Sequence, residues 1–202
     1  MINKLKKANI GLPCILACVY FLALPLTITI NSAGNSFLKM LTIPIVGYFT
    51  VSWFFYREKL ELNIIHLFSF LFLITVVMTL FADRSADALQ YVRGYFETIG
   101  LMFLITMRKY TENEIKTFEL AQLALLGIMV ALGLIGADWY GDRNTMIIFG
   151  ATSDPNYFTG FFLFPMAVAL KKIRENKIYA VICAVLFVLG AYMVFSSGSR
   201  GG

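Results

Sequence analysis

Apolar residues in this chain come in long runs joined by short polar connections. Runs long enough to cross about 30 Å of hydrocarbon at about 1.5 Å per residue occupy 12–30, 37–56, 62–82, 88–107, 118–137, 155–170 and 178–196. The pattern predicts an all-α polytopic membrane bundle of about seven transmembrane helices. No internal repeat, low-complexity tract or linker divides residues 1–202, so one membrane domain is the simplest expectation. The first run follows the basic segment 1–7, as in a secretory signal, but it is longer than a signal's apolar region and no A-x-A-like site follows it. It is therefore expected to remain as a span.

Composition strengthens this picture. The chain is 59% hydrophobic and 14% charged, with mean hydropathy +0.75, well above what the core of a soluble domain of 202 residues requires. Cys14, Cys18 and Cys183 lie within apolar runs, lack metal-like spacing and read as small packing residues. The net charge of +5 needs no nucleic acid to explain it, because basic loops orient membrane proteins.

With Met1 cytoplasmic, twelve of the seventeen Lys and Arg fall in cytoplasmic segments, leaving Lys39, Arg84, Arg93, Arg143 and Arg200 for the other side and the spans it opens into. Seven crossings put the C-terminal residues outside. Nine of the twelve cytoplasmic cations are Lys, whereas four of the five others are Arg, whose planar fork suits phosphate oxygens. Chance in a small sample, with Asp83, Asp87, Asp138 and Asp142 as partners, accounts for this bias equally well.

Within the fourth run, Arg93 and Glu97 are four residues apart on one helix face and can pair. Charges at this depth pair or face a water-filled recess; for Arg93, near the outer surface, both roles stay open. Tyr91, Tyr95 and Phe96 read as packing. His66, the one histidine of the chain, lies a turn inside the cytoplasmic end of the third run and is expected to be hydrogen-bonded or snorkelling.

The longest outer connection runs from Asp138 to Asp154, with Trp139 and Tyr140 as interfacial anchors. Asp154 suits a helix N-cap and Pro155 the first helical position. The helix led by these residues is expected to stop at Leu170 before Lys171 and Lys172, giving sixteen residues or about 24 Å. That is short for a crossing. Its N-terminus would then begin either in thinned bilayer or in a protein-lined recess suited to an anionic group. Gly160 and Pro165 fit irregular packing within it.

The chain ends in Ser196-Ser197-Gly198-Ser199-Arg200-Gly201-Gly202. Ser and Gly after a helix form a C-cap, and Arg200 then reads as an interfacial anchor. Small residues also let backbone N–H groups approach an anion, with an arginine fork beside them. Both readings stand on the residues alone.

The pair of motifs, S-D-P-N-Y-F continuing to F-P-M-A and then SSGSRGG after the last run, resembles the first half of the O-antigen ligase and O-antigen polymerase superfamily of bacterial envelope proteins. The resemblance covers the arrangement of the seven runs, but its specific part is these two motifs. It implies a metal-independent, cofactor-free inverting glycosyltransferase of the bacterial cytoplasmic membrane. Its donor is a glycan on undecaprenyl pyrophosphate at the outer face. Arg200 matches the family's active-site arginine and is expected as the catalytic group that holds the pyrophosphate. Arg93, Arg143, Asp154 and Asn156 are the further candidate substrate-binding residues. Members of the family continue into a large external loop bearing arginine and histidine. This chain is therefore expected to be a partial member, inactive alone.

A transporter or flippase for an amphipathic anion, with Arg93 and the short sixth span lining the path, is the alternative from another class. A purely structural membrane subunit is a third. Membrane lipids are the expected surroundings in each case.

Overall fold

The computed structural model describes residues 10–26, 31–56, 62, 64–82, 89, 92, 99–140, 143–148, 151–152, 155–175 and 177–198. It is predominantly helical, as the apolar runs predict, with one small sheet. The elements are α1 (Leu12–Ala23), α2 (Asn31–Tyr56), α3 (Ile64–Ala82), α4 (Glu112–Gly136), β1 (Ala137–Tyr140), β2 (Arg143–Ile148), β3 (Ala151–Thr152), α5 (Pro155–Glu175) and α6 (Lys177–Ser196). Residues 99–106 are also helical. Among the described residues, α4 and α6 contain stretches long and apolar enough to cross a membrane, at Glu112–Ile135 and Tyr179–Ser196.

Three sequence expectations change. The run 12–30 is not one helix, because Pro25 brings a ring that clashes with the preceding turn and has no N–H to donate. Helix α1 closes at Ala23 with Leu24 N–H donating to Phe21 O at 3.3 Å. Its twelve residues reach only about 18 Å. Helix α5 does not stop at Leu170 but runs 21 residues to Glu175, or about 31 Å. Lysine is a good helix former, and Lys171 and Lys172 both find carboxylates. The added residues include Lys171, Lys172, Arg174 and Glu175, so the apolar part of the helix stays at the sixteen residues of 155–170. The connection between α4 and α5, finally, holds a three-stranded antiparallel sheet in the order β1-β2-β3. Tyr140 pairs with Arg143 and Ile148 with Ala151. Each strand connection is thus two residues long, the hairpin length at which backbone twist matches that of the strands.

The chain divides into two compact units. The first comprises Met1–Leu41 with Glu112–Gly202, and the second Thr42–Thr111. The first is built on α4, α5 and α6, with α1 against α4 and β2 beside α4 and α5. Its core holds Leu125, Leu126, Met129 and Val130 of α4, Phe158, Phe162 and Ala169 of α5, and Cys183 and Met193 of α6. Phe158 and Phe162 meet edge to face at 5.0 Å. A glycine sets the helix spacing. A Cβ at Gly190 of α6 would lie 3.2 Å from Leu126 Cδ1 and 3.3 Å from Met166 Sδ, so the missing side chain is what lets α6 approach α4 and α5.

Helix α4 is divided lengthwise. Glu114, Glu119, Gln122, Leu125, Leu126, Met129 and Gly133 occupy the buried half, while Leu120, Ala124, Ile128, Ala131 and Leu134 occupy the exposed half. Beyond Lys116 the exposed half is wholly apolar and the buried half carries the polar groups, the reverse of a helix on a water-soluble protein. Cys14, Cys18 and Cys183 are buried and none is in a disulfide, in keeping with small packing residues.

In the second unit, Ile45, Phe49 and Ser52 form the buried stripe of α2. Helix α3 buries only His66 and Val76 among its described side chains and exposes Leu67, Phe68, Leu71, Phe72 and Met78. His66 Nε2 lies 2.8 Å from Thr106 Oγ1. Because the Thr106 hydroxyl donates to Met102 O at 2.7 Å, its oxygen accepts from Nε2–H. The His66 ring also stacks on Phe103 at 5.2 Å. The expectation of a hydrogen-bonded histidine holds.

Candidate functional site

The first unit carries polar chemistry at both ends of the α4–α5–α6 bundle. At the end where α5 begins and α6 stops, Phe158, Met193 and Gly133 converge: a Cβ on Gly133 would lie 2.8 Å from Met193 Sδ and 3.4 Å from Phe158 Cζ. Phe158 is the last residue of the S-D-P-N-Y-F motif, and Met193 lies three residues before the start of SSGSRGG. Antiparallel packing of α5 on α6 thus brings the start of α5 and the end of α6 to one end of the bundle, and β2, which starts at Arg143, packs against α4 and α5.

The helix stop is resolved in detail. Ser197 N–H donates to Met193 O at 3.1 Å and Gly198 N–H to Phe195 O at 3.2 Å, with Gly198 at φ 60°. This is a left-handed glycine C-cap. The Ser196 hydroxyl donates to Met193 O at 3.1 Å and the Ser197 hydroxyl to Val194 O at 2.7 Å. Both hydroxyl hydrogens and both backbone N–H groups of Ser197 and Gly198 therefore serve the cap. Of the small residues read as an anion cradle, Ser196, Ser197 and Gly198 instead end the helix. Pro155 is the first residue of α5, as expected for a proline at that place.

Of the sequence-derived site residues, Arg143 opens β2 opposite Tyr140, and Asn156 is the second residue of α5. Arg200, Arg93 and Asp154 lie outside the described residues, as does Glu97. Among the described residues, no group of three or more His, Cys, Asp or Glu is placed to hold a metal ion.

At the opposite end a charge cluster joins α4 to α5. Glu119, its side chain 10% exposed, accepts from Lys171 and lies 2.5 Å from Lys172. Glu175 completes the cluster, 3.5 Å from Lys171 and 2.8 Å from Lys172. Two cations and two carboxylates close a neutral quartet. The hydrogen bond to Glu119 is the main influence raising both Lys171 and Lys172 above the usual lysine value, and the bond from Lys172 is the main one lowering Glu175. In the sequence pattern these lysines read as basic residues just past the end of a helix. Glu119 and Lys171 are 52 residues apart, so no spacing rule pairs them.

Close to this end, Glu114 Oε1 accepts the backbone N–H of Gly11 at 3.0 Å. Gly11 is the N-cap of α1 and has no side chain to cap with. A glutamate from α4 thus does what the glutamate of a capping box does within its own helix.

Comparison with known proteins finds no matching family model, no matching curated protein and no matching solved structure.

Proposed function

We propose that this chain is the membrane-embedded first half of an O-antigen ligase or polymerase-like glycosyltransferase, acting in cell-surface polysaccharide synthesis at the outer face of the bacterial cytoplasmic membrane. The membrane reading is supported by helices whose outer faces are apolar while glutamate, glutamine and threonine lie inside the bundle, as at Glu114, Glu119, Gln122 and Thr159. A soluble helix has the opposite arrangement. The observation that supports the functional reading is the convergence on Gly133 of Phe158, the last residue of the first motif, and Met193, three residues before the second.

In this reading an acceptor hydroxyl attacks the anomeric carbon of a glycan on undecaprenyl pyrophosphate. The carbon–oxygen bond to the lipid breaks with inversion, and lipid pyrophosphate leaves. Arg200 holds the pyrophosphate and stabilises the negative charge that develops there. Arg143, on β2, and Asn156, on α5, are further candidates for binding the donor, as are Arg93 and Asp154 on the sequence alone.

Complementation tests the assignment. A strain deleted for the gene encoding this chain is supplied with the wild-type gene, Arg200→Ala or Arg200→Lys, and its surface polysaccharide is resolved by length. The expected result is restoration by wild type only, with lipid-linked glycan accumulating in the Ala variant. Wild-type polysaccharide in the Ala strain removes the assigned role of Arg200.

A further inference from the structure

The lysine end of the first bundle holds more positive charge than its carboxylates engage. Lys171 and Lys172 are committed to Glu119 and Glu175 in the quartet, and Glu114 is buried against Gly11. Lys116 of α4, Arg174 of α5 and Lys177 of α6 remain, all exposed and, among the described residues, without an ion-pair partner. They share one end of the bundle, since Lys116 lies a turn before Glu119, Arg174 follows the Lys172 that Glu119 binds, and Lys177 opens the next helix. Glu112, the exposed acid nearby, sits in the first turn of α4, where the helix dipole favours it.

The same rim borders exposed apolar surface. Ile115 and Leu120 of α4 are 47% and 56% exposed, Leu170 of α5 46%, and Tyr179 and Ile182 of α6 48% and 60%. Cations set directly above apolar side chains, with a tyrosine at the boundary, match the order of a phospholipid from phosphate to acyl chain.

We propose that Lys116, Arg174 and Lys177 form a binding site for the headgroup of an anionic phospholipid, whose acyl chains lie along α4, α5 and α6. The occupant is committed by charge complementarity at the rim and by the apolar faces beneath it. A soluble anion satisfies the first feature and leaves the second uncovered. The proposal rests on the membrane reading and not on the glycosyltransferase assignment.

The test uses the chain purified from membranes in mild detergent. Phosphatidylglycerol or phosphatidylcholine is added, and bound lipid is counted by native mass spectrometry at low and high salt. Wild type retains phosphatidylglycerol preferentially, and salt weakens the preference. The triple variant Lys116→Gln, Arg174→Gln, Lys177→Gln lowers it about a hundred-fold, at about five-fold per charge. Should the triple variant fail to fold by circular dichroism, Arg174→Gln and Lys177→Gln singly carry the test, each expected to lower the preference about five-fold. Equal retention of the two lipids by wild type, or an unchanged preference in folded variants, overturns the headgroup site alone. A chain released from membranes by alkaline carbonate overturns the membrane reading and this site with it.

Discussion

Replacing Glu119 by Gln keeps the size and hydrogen-bonding shape of the side chain but removes the charge at the centre of the α4–α5 cluster. Its carboxylate is 10% exposed, and Lys172, at 16%, is nearly as sheltered. Lys171 is 55% exposed, so solvent screens most of its share. The link that matters is therefore Lys172 to Glu119. Lys172 keeps Glu175 at 2.8 Å in the variant, so it is not left as an unpaired buried charge. Breaking a fully buried pair costs about 3–5 kcal/mol, and a charge-assisted hydrogen bond contributes about 1.5–3 kcal/mol. With Glu175 retained, the lower range applies, and Glu119→Gln is expected to lose about 2 kcal/mol. Unfolding in micelles of rising SDS fraction, followed by circular dichroism, measures it. The double cycle with Lys172→Gln then isolates the pair, with an expected coupling of about 1–2 kcal/mol. A loss under about 0.5 kcal/mol, the size of an ordinary surface substitution, or a coupling near zero would refute the claim that this quartet joins α4 to α5.

Three further outcomes follow from the same geometry. The Glu175 carboxyl lies below its ordinary 4.5 in the folded state, so its stabilisation is present above 4.5 and lost as pH falls through the lowered value; Lys171 and Lys172 lie above 10.5, so theirs is complete below 10.5 and lost as pH rises through the raised values. Midpoints of unfolding measured against pH should form a plateau between these limits, and Glu119→Gln should flatten the alkaline fall. At Gly198, φ 60° predicts that Gly198→Ala costs about 1 kcal/mol while Gly198→Asn is better tolerated, read from the same SDS titration. Gly190→Val forces a branched side chain against Leu126 and Met166 and should destabilise by about 1–3 kcal/mol, whereas the same substitution at Gly127, where an added Cβ meets nothing within 4 Å, should not.

The apolar runs made most helices legible, because a segment without internal polar breaks has few alternatives to a helix when its surroundings are apolar. Their ends were less legible. Pro25 stops α1 inside a run that hydropathy alone reads as continuous, and Lys171-Lys172 reads as a stop although the helix continues to Glu175. What carries α5 onward is a carboxylate from α4, and contacts across 52 residues leave no local trace. The sheet at 137–152 has a local signal in β2, whose Thr145, Ile147 and Ile148 are β-branched residues favoured in strands. Pro155 was placed correctly because its preference for the first helical turn is local. Of the small residues in SSGSRGG, Ser196, Ser197 and Gly198 form the helix cap, one of the two readings open on the residues alone.

Glycan transfer and glycan transport leave different products, and this separates the central proposal from its alternative. Membranes from cells expressing the gene for this chain, and from the deletion strain, are given undecaprenyl-pyrophosphate-linked glycan labelled in the sugar, and both lipid and sugar are followed. The account predicts release of undecaprenyl pyrophosphate, in step with label appearing on an acceptor with inverted anomeric configuration, in the first membranes only. Label that crosses the bilayer still joined to its lipid, with no pyrophosphate released, would contradict it.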